Sequence, residues 1–273
     1  MSDPPDLLDT FVRATIESQV LPANPKVVGL SCIGQEQLYF TLLFGRYLKE
    51  HTDASVIVGG TIFSRIFERG ALKPDWFGRY FDVIVRNEGE RPTERLLSNL
   101  RNRVPLTLDV PGVVYHEHGQ IEAPTPAHPL SPRELPVPDF DDMPLGHYMS
   151  PEITLPLLSA RGCYWGKCEF CHHGMVYGEK YAPYKPIDIL EAVTMLAERY
   201  GVRHFAFNDE AIPPKVLRAI GEQFPPHAES GWTFTGLIKF EPTYKREDFE
   251  RFHAAGCRSL YVGLESASER VST

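Results

Sequence analysis

Two series of short apolar runs, each run followed by a stretch of helical periodicity, constrain this 273-residue chain more than any other feature. In the first series, residues 6–20 (DLLDTFVRATIESQV) carry apolar side chains at helical spacing, and Pro22 and Pro25 close that segment. Residues 26–32 (KVVGLSC) then read as a buried strand, and 35–50 as a helix with a basic last turn, as the macrodipole prefers. A second strand is expected at 55–60 (SVIVGG). A third is expected at 81–85 (FDVIV), before Asn87, Glu88, Gly89, Glu90 and a helix over 93–100. Strands alternating with helices predict an α/β fold, here a doubly wound, Rossmann-like parallel sheet. Ligands of such sheets sit beyond the carboxyl ends of the strands, which places residues 31–34, 59–61 and 88–90 in view.

Nine prolines fall between Pro124 and Pro156, and periodicity is lost there. This stretch reads as an extended linker over 125–152, separating a domain at 1–124 from one at 153–273. The second series opens with a strand at 154–160 (TLPLLSA). A helix follows over 187–200, with Ile189, Leu190, Val193, Leu196, Ala197 and Tyr200 on one side and Gly201 at its stop. Strand 203–208, helix 215–224, strand 232–237, helix 246–255 and strand 259–263 complete it. Four parallel strands do not close a barrel, so the second domain is expected to be a partial (β/α) barrel, truncated after its fourth strand, or an open sheet.

Apolar residues make up 42% and charged residues 23%, ordinary globular usage that excludes bulk disorder. The net charge of −8 argues against a general nucleic-acid or anionic-membrane binder. No run approaches the roughly 20 apolar residues that span a bilayer. The opening MSDPPDLLDTF has neither the basic nor the apolar region of a signal peptide, so a cytoplasmic location is expected. Of five cysteines, three fall within nine residues: Cys163, Cys168 and Cys171. In a reducing compartment such a group reads as metal-binding or catalytic sulfur rather than a disulfide framework.

The group stands in RGCYWGKCEFCHH, residues 161–173, directly after a strand that begins a βα series. Three thiolates on one loop can wrap one face of an iron–sulfur cube and leave its fourth iron without a protein ligand. Gly162 and Gly166 give the loop freedom to turn. Zinc would accept the same three cysteines with His172 or His173, although a second knuckle is missing. Cys168 to His172 also matches a haem c attachment pattern, and three unrelated core thiols are the plain alternative.

The motif is similar to the cluster motif of radical S-adenosylmethionine enzymes, including an aromatic residue, Phe170, before the last cysteine. Val262-Gly-Leu-Glu265-Ser266 at the fourth strand resembles the family's G-x-E-S segment, whose Glu contacts the ribose of S-adenosylmethionine. Between them, Phe207-Asn208-Asp209-Glu210 stands at the end of the second strand, where the family grips the methionine amino group. The first half resembles the cobalamin-binding domain that precedes the radical barrel in one large subclass. The resemblance implies a 4Fe–4S cluster on Cys163, Cys168 and Cys171. It implies S-adenosylmethionine held by Asn208, Asp209, Glu210, Glu265 and Ser266, and reductive cleavage to a 5′-deoxyadenosyl radical. It further implies bound cobalamin, methylation of a peptide or other small-molecule substrate, and an electron donor such as flavodoxin or ferredoxin. The chain departs from the family in two places. Four residues lie between Cys163 and Cys168 where three are usual, and no Asp-x-His-x-x-Gly offers cobalt a lower ligand. The alternative is a non-catalytic zinc- or iron–sulfur-stabilised binding module, or an inactive fragment of such an enzyme.

Among the remaining residues, Cys32 and Cys257 read as core thiols. Glu88 and Glu90 read as helix-capping or loop-supporting carboxylates. His116, His118, His128 and His147 have no metal-binding spacing and read as surface residues. Gly59-Gly60 lacks the Lys-Ser/Thr of a phosphate loop, and no nucleophile elbow is present.

Overall fold

A computed structural model describes residues 7–168, 170–171, 181–266 and 268. The chain divides into two compact units, Met1–Leu130 and Ser131–Thr273.

In the first unit, helix α1 (Leu7–Thr15) runs through a π-turn at Ile16–Val20 and a 3₁₀ turn at Leu21–Ala23 into strand β1 (Val27–Ser31). Helix α2 (Gln35–His51), strand β2 (Ser55–Gly59), helix α3 (Thr61–Glu68), strand β3 (Val83–Val85) and helix α4 (Glu90–Asn102) follow. Strands β1, β2 and β3 lie side by side in chain order and parallel. Among the described strands there is thus no reversal of order, and the switch point of a doubly wound sheet is not formed between them. The sheet continues instead into an antiparallel hairpin, β4 (Val113–Glu117) and β5 (Gln120–Glu122). Its two turn residues, His118 and Gly119, both have positive φ, which matches the right-handed twist of a two-residue hairpin.

Side chains of a strand alternate between faces, so this sheet sorts its apolar residues into two cores. Val56, Val58 and Ile84 pack with Val12, Ile16, Leu43, Leu48, Ile62 and Phe63 from α1, α2, α3 and the π-turn. Ile57, Val83 and Val85 pack with Leu96 of α4 and with Val110 and Val113. The arrangement is a three-layer α/β unit with helices on both faces. Asp82 ties the layers together: it accepts from the Val56 N–H at 2.8 Å and pairs with Lys49 of α2 at 2.8 Å.

The second unit includes much of the proline-rich stretch. Phe140 is buried, and its N–H donates to the Tyr200 hydroxyl at 2.8 Å. Strand β6 (Thr154–Leu157) leads into β7 (Ala160–Arg161), which pairs antiparallel with β8 (Ala182–Pro183). Helix α5 (Pro186–Tyr200), β9 (His204–Phe207), α6 (Pro214–Gln223), β10 (Thr233–Ile238), α7 (Arg246–Ala254) and β11 (Cys257–Val262) complete it. Strands β6, β9, β10 and β11 form one parallel sheet in chain order. Leu155, Phe205, Phe207 and Phe234 of one face are buried with Val193, Leu196, Leu217, Ile220 and Phe252 of the three helices. Each such side chain contributes about 1.5–3 kcal/mol when fully buried. On the opposite face, Pro156, Leu237 and Tyr261 are exposed, the last two paired in register. Among the described residues, the helices packed on this sheet cover one side.

Candidate functional site

The carboxyl ends of β6, β9 and β11 carry the sequence motifs. The β7–β8 ribbon pairs Arg161, just before the cysteine motif, with Ala182. The Tyr184 N–H adds a bond to the Ser159 carbonyl at 2.9 Å. A second fastening comes from β9. Asp209, 3% exposed, accepts the Ser159 N–H on its two oxygens at 3.1 and 2.9 Å and the Ser159 hydroxyl at 2.7 Å. Burial raises the Asp209 pKa, and the bonds from Ser159 oppose that rise. Asn208 beside it is exposed and donates its N–H to the Leu157 carbonyl at 2.8 Å.

Within the cysteine motif, Cys163 is half-buried, while Cys168, Phe170 and Cys171 are exposed. The Cys171 N–H donates to the Cys168 carbonyl at 3.1 Å. Partial desolvation raises the Cys168 thiol first, followed by repulsion from Cys171, Cys163 and Glu265, with Lys239 opposing. Burial pushes Tyr181 up to about 12, with added repulsion from Asp209 and Cys163. No group of three or more His, Cys, Asp or Glu side chains stands at metal-ligand separation among the described residues. His172 and His173 lie outside them.

The G-x-E-S segment turns sharply after β11. Glu265 has φ +57°, and the Ser266 N–H donates back to the Leu264 carbonyl at 2.6 Å. The Glu265 carboxylate folds over Gly263, where a Cβ would lie 2.6 Å from its oxygen. Glu210 is half-buried after β9.

Sequence reasoning assigned no role to Ser159, Tyr164, Trp165, Lys239 or Glu241. Tyr164 donates its hydroxyl to Glu241 at 2.8 Å, and Lys239 pairs with Glu241 at 3.3 Å while its ammonium stands 3.9 Å from the Trp165 ring centre. Burial and the Glu241 carboxylate raise the Tyr164 pKa, and that bond lowers Glu241. The signal available was the Lys-x-Glu at the end of an apolar run, a pattern too common to be read alone.

In the first unit, Cys32 is fully buried, and its thiol is raised by that burial. Gly60 has φ +90°, and a Cβ there would lie 2.4 Å from the Cys32 carbonyl, so the glycine serves the close packing of β1 on β2. The Glu36 carboxylate covers Gly34. Internal packing accounts for Gly60.

No family profile matches the chain. It is similar to an uncharacterised methyltransferase of Pyrococcus horikoshii, 26% identical over 196 residues, which cover 70% of this chain and 41% of that protein. It is also similar to the 4′-phospho-dehydrooxetanocin synthase of Priestia megaterium, 26% identical over 269 residues, covering 94% of this chain and 34% of that enzyme. The chain thus spans about two fifths and one third of these curated relatives, both of which carry enzyme names. No described helix is long and apolar enough to cross a membrane.

Proposed function

We propose that this chain is a radical S-adenosylmethionine enzyme, or the part of one that binds the cosubstrate, with Cys163, Cys168 and Cys171 as ligands of a 4Fe–4S cluster. Three soft thiolates on one loop fit such a cluster by donor chemistry. When bound, the cluster supplies the low-potential electron that cleaves the sulfonium to methionine and a 5′-deoxyadenosyl radical; an external donor of the flavodoxin or ferredoxin class delivers that electron. The protein's own part is to hold, aim and exclude water. Glu265 accepts the ribose hydroxyls, with Ser266 beside it. Asn208 and Glu210 receive the methionine ammonium, and Phe170 flanks the pocket. Asp209 works differently from its sequence assignment: its oxygens are occupied by Ser159, so it positions the turn that launches the cysteine loop.

The observation that carries this reading is the shared placement of the three motifs: the cysteine loop follows β6, Asn208 and Glu210 follow β9, and Glu265 follows β11, all at the carboxyl edge of one parallel sheet. That edge is where (β/α) barrels gather ligand-binding groups from separate strands. Among the described residues the packed helices lie on one face, and Leu237 and Tyr261 are exposed on the other, which supports a barrel segment over 153–273. The name of the archaeal relative supports methyl transfer as the reaction class. Cobalamin rests on the resemblance of the first half alone.

Anaerobic reconstitution with iron and sulfide, followed by EPR of the reduced protein, tests the reading. A 4Fe–4S signal that changes on adding S-adenosylmethionine is expected. Tight stoichiometric zinc with no iron signal refutes it.

A further inference from the structure

The spacer between Cys163 and Cys168 carries two adjacent aromatic residues, Tyr164 and Trp165, whose contacts lie outside the loop. We propose that Tyr164 and Trp165, in that spacer, are clamped on the end of β10 by Glu241 and Lys239, and that this clamp holds the cysteine loop ready for its cluster. The inference rests on the functional reading above.

The base of segment 162–181 is already fastened, by the β7–β8 ribbon and by Asp209 on Ser159. Those contacts fix the chain up to residue 161 and leave the direction taken after Cys163 open. The clamp supplies that direction. Tyr164 donates to Glu241 at 2.8 Å, a hydrogen bond strengthened by the carboxylate charge. Trp165 lies against the Lys239 ammonium at 3.9 Å on a cation–π contact, and Lys167 stands 5.1 Å from the same ring. Lys239 and Glu241 also pair with each other at 3.3 Å, so the two grips form one unit. Lys239 and Glu241 stand just past the end of β10 on either side of Phe240, which is 65% exposed. The Tyr164 ring further meets the Tyr181 ring edge-on at 6.3 Å, where the segment returns to the sheet.

Two adjacent aromatic residues are thereby pinned to a strand that is neither the one before the loop nor the one after it. Preorganising the loop reduces the ordering that cluster binding must otherwise impose. Tyr164, Trp165, Lys239 and Glu241 are on this account positioning residues.

Tyr164→Phe, Glu241→Gln and their combination test the clamp in the full chain, by two measurements. The first is the rate of tryptic cleavage after Lys167. The second is iron retained per chain after anaerobic reconstitution. Each single variant should be cut about tenfold faster, the loss expected for one charge-assisted bond, and the double variant no faster still. Retained iron should fall in the same variants. Lys239→Met should behave likewise, and Lys239→Arg, which keeps the cation on the ring, should restore both readings. Unchanged cleavage, or faster cleavage with unchanged iron, overturns the clamp. A wild-type chain that retains no iron overturns the underlying functional reading, whereas equal iron in wild type and variants overturns the clamp alone.

Discussion

Replacing Asp209 with alanine should destabilise the second unit rather than merely weaken a ligand site. Asp209 and Ser159 are 3% and 0% exposed, and the carboxylate receives both the N–H and the hydroxyl of Ser159. Removing the acceptor strands two buried donors, each at a cost of about 1–3 kcal/mol. The substitution also relieves a buried charge, since burial raises the Asp209 pKa. The net expectation is roughly 2–4 kcal/mol, or about 5–15 °C in melting temperature for a unit of this size. Asp209→Asn keeps one acceptor oxygen and removes the charge, so it should cost about 1 kcal/mol. Urea denaturation followed by far-ultraviolet circular dichroism measures both variants, with hydrogen exchange in β6 and β9 assigning the transition. Asp209→Ala within about 0.5 kcal/mol of wild type, the range of ordinary surface changes, would refute the reasoning. It would return Asp209 to the pool of ligand-binding carboxylates.

Gly60→Ala should cost more than about 1 kcal/mol in denaturant titration, because the residue needs φ +90° and its Cβ would meet the Cys32 carbonyl. Asp248, gripped by Arg218 through both oxygens at 3.0 and 2.9 Å, is held down to about 2. Its stabilising effect is complete above the ordinary carboxylate value of about 3.9 and lost as pH falls through about 2. Asp248→Asn should therefore flatten the acid limb of stability between those values, read by denaturation at stepped pH. Glu265→Ala should leave iron content and melting temperature unchanged while weakening S-adenosylmethionine binding in equilibrium dialysis; loss of iron would instead assign Glu265 a structural role.

Much of the architecture was legible from local patterning. Apolar runs and helical spacing located β1, β2, β9, β10, α2 and α5 within a few residues, because burial on a face repeats with the period of the element. The cysteine triplet, with Gly162 and Gly166 beside it, was equally legible as a chemical unit. Helix α3 escaped notice because eight residues are too few to establish a period. The β4–β5 hairpin escaped because its turn, His118-Gly119, lies beside the proline-rich stretch.

Pairings between distant residues lay beyond the sequence. Strand order follows from which strands find each other, so the run of β1, β2 and β3 without reversal is a property of the folded sheet. The same holds for Asp209, which reads as a ligand-binding acid beside Asn208 and Glu210 until Ser159, fifty residues earlier, is brought against it. It holds also for Lys239 and Glu241, whose partners Tyr164 and Trp165 are over seventy residues away. Residue type and spacing determine which chemistry a chain carries, since donor atoms and periodicity are local. Tertiary packing decides which of those groups stay available, because a buried polar group must satisfy its bonds with whatever the fold places beside it.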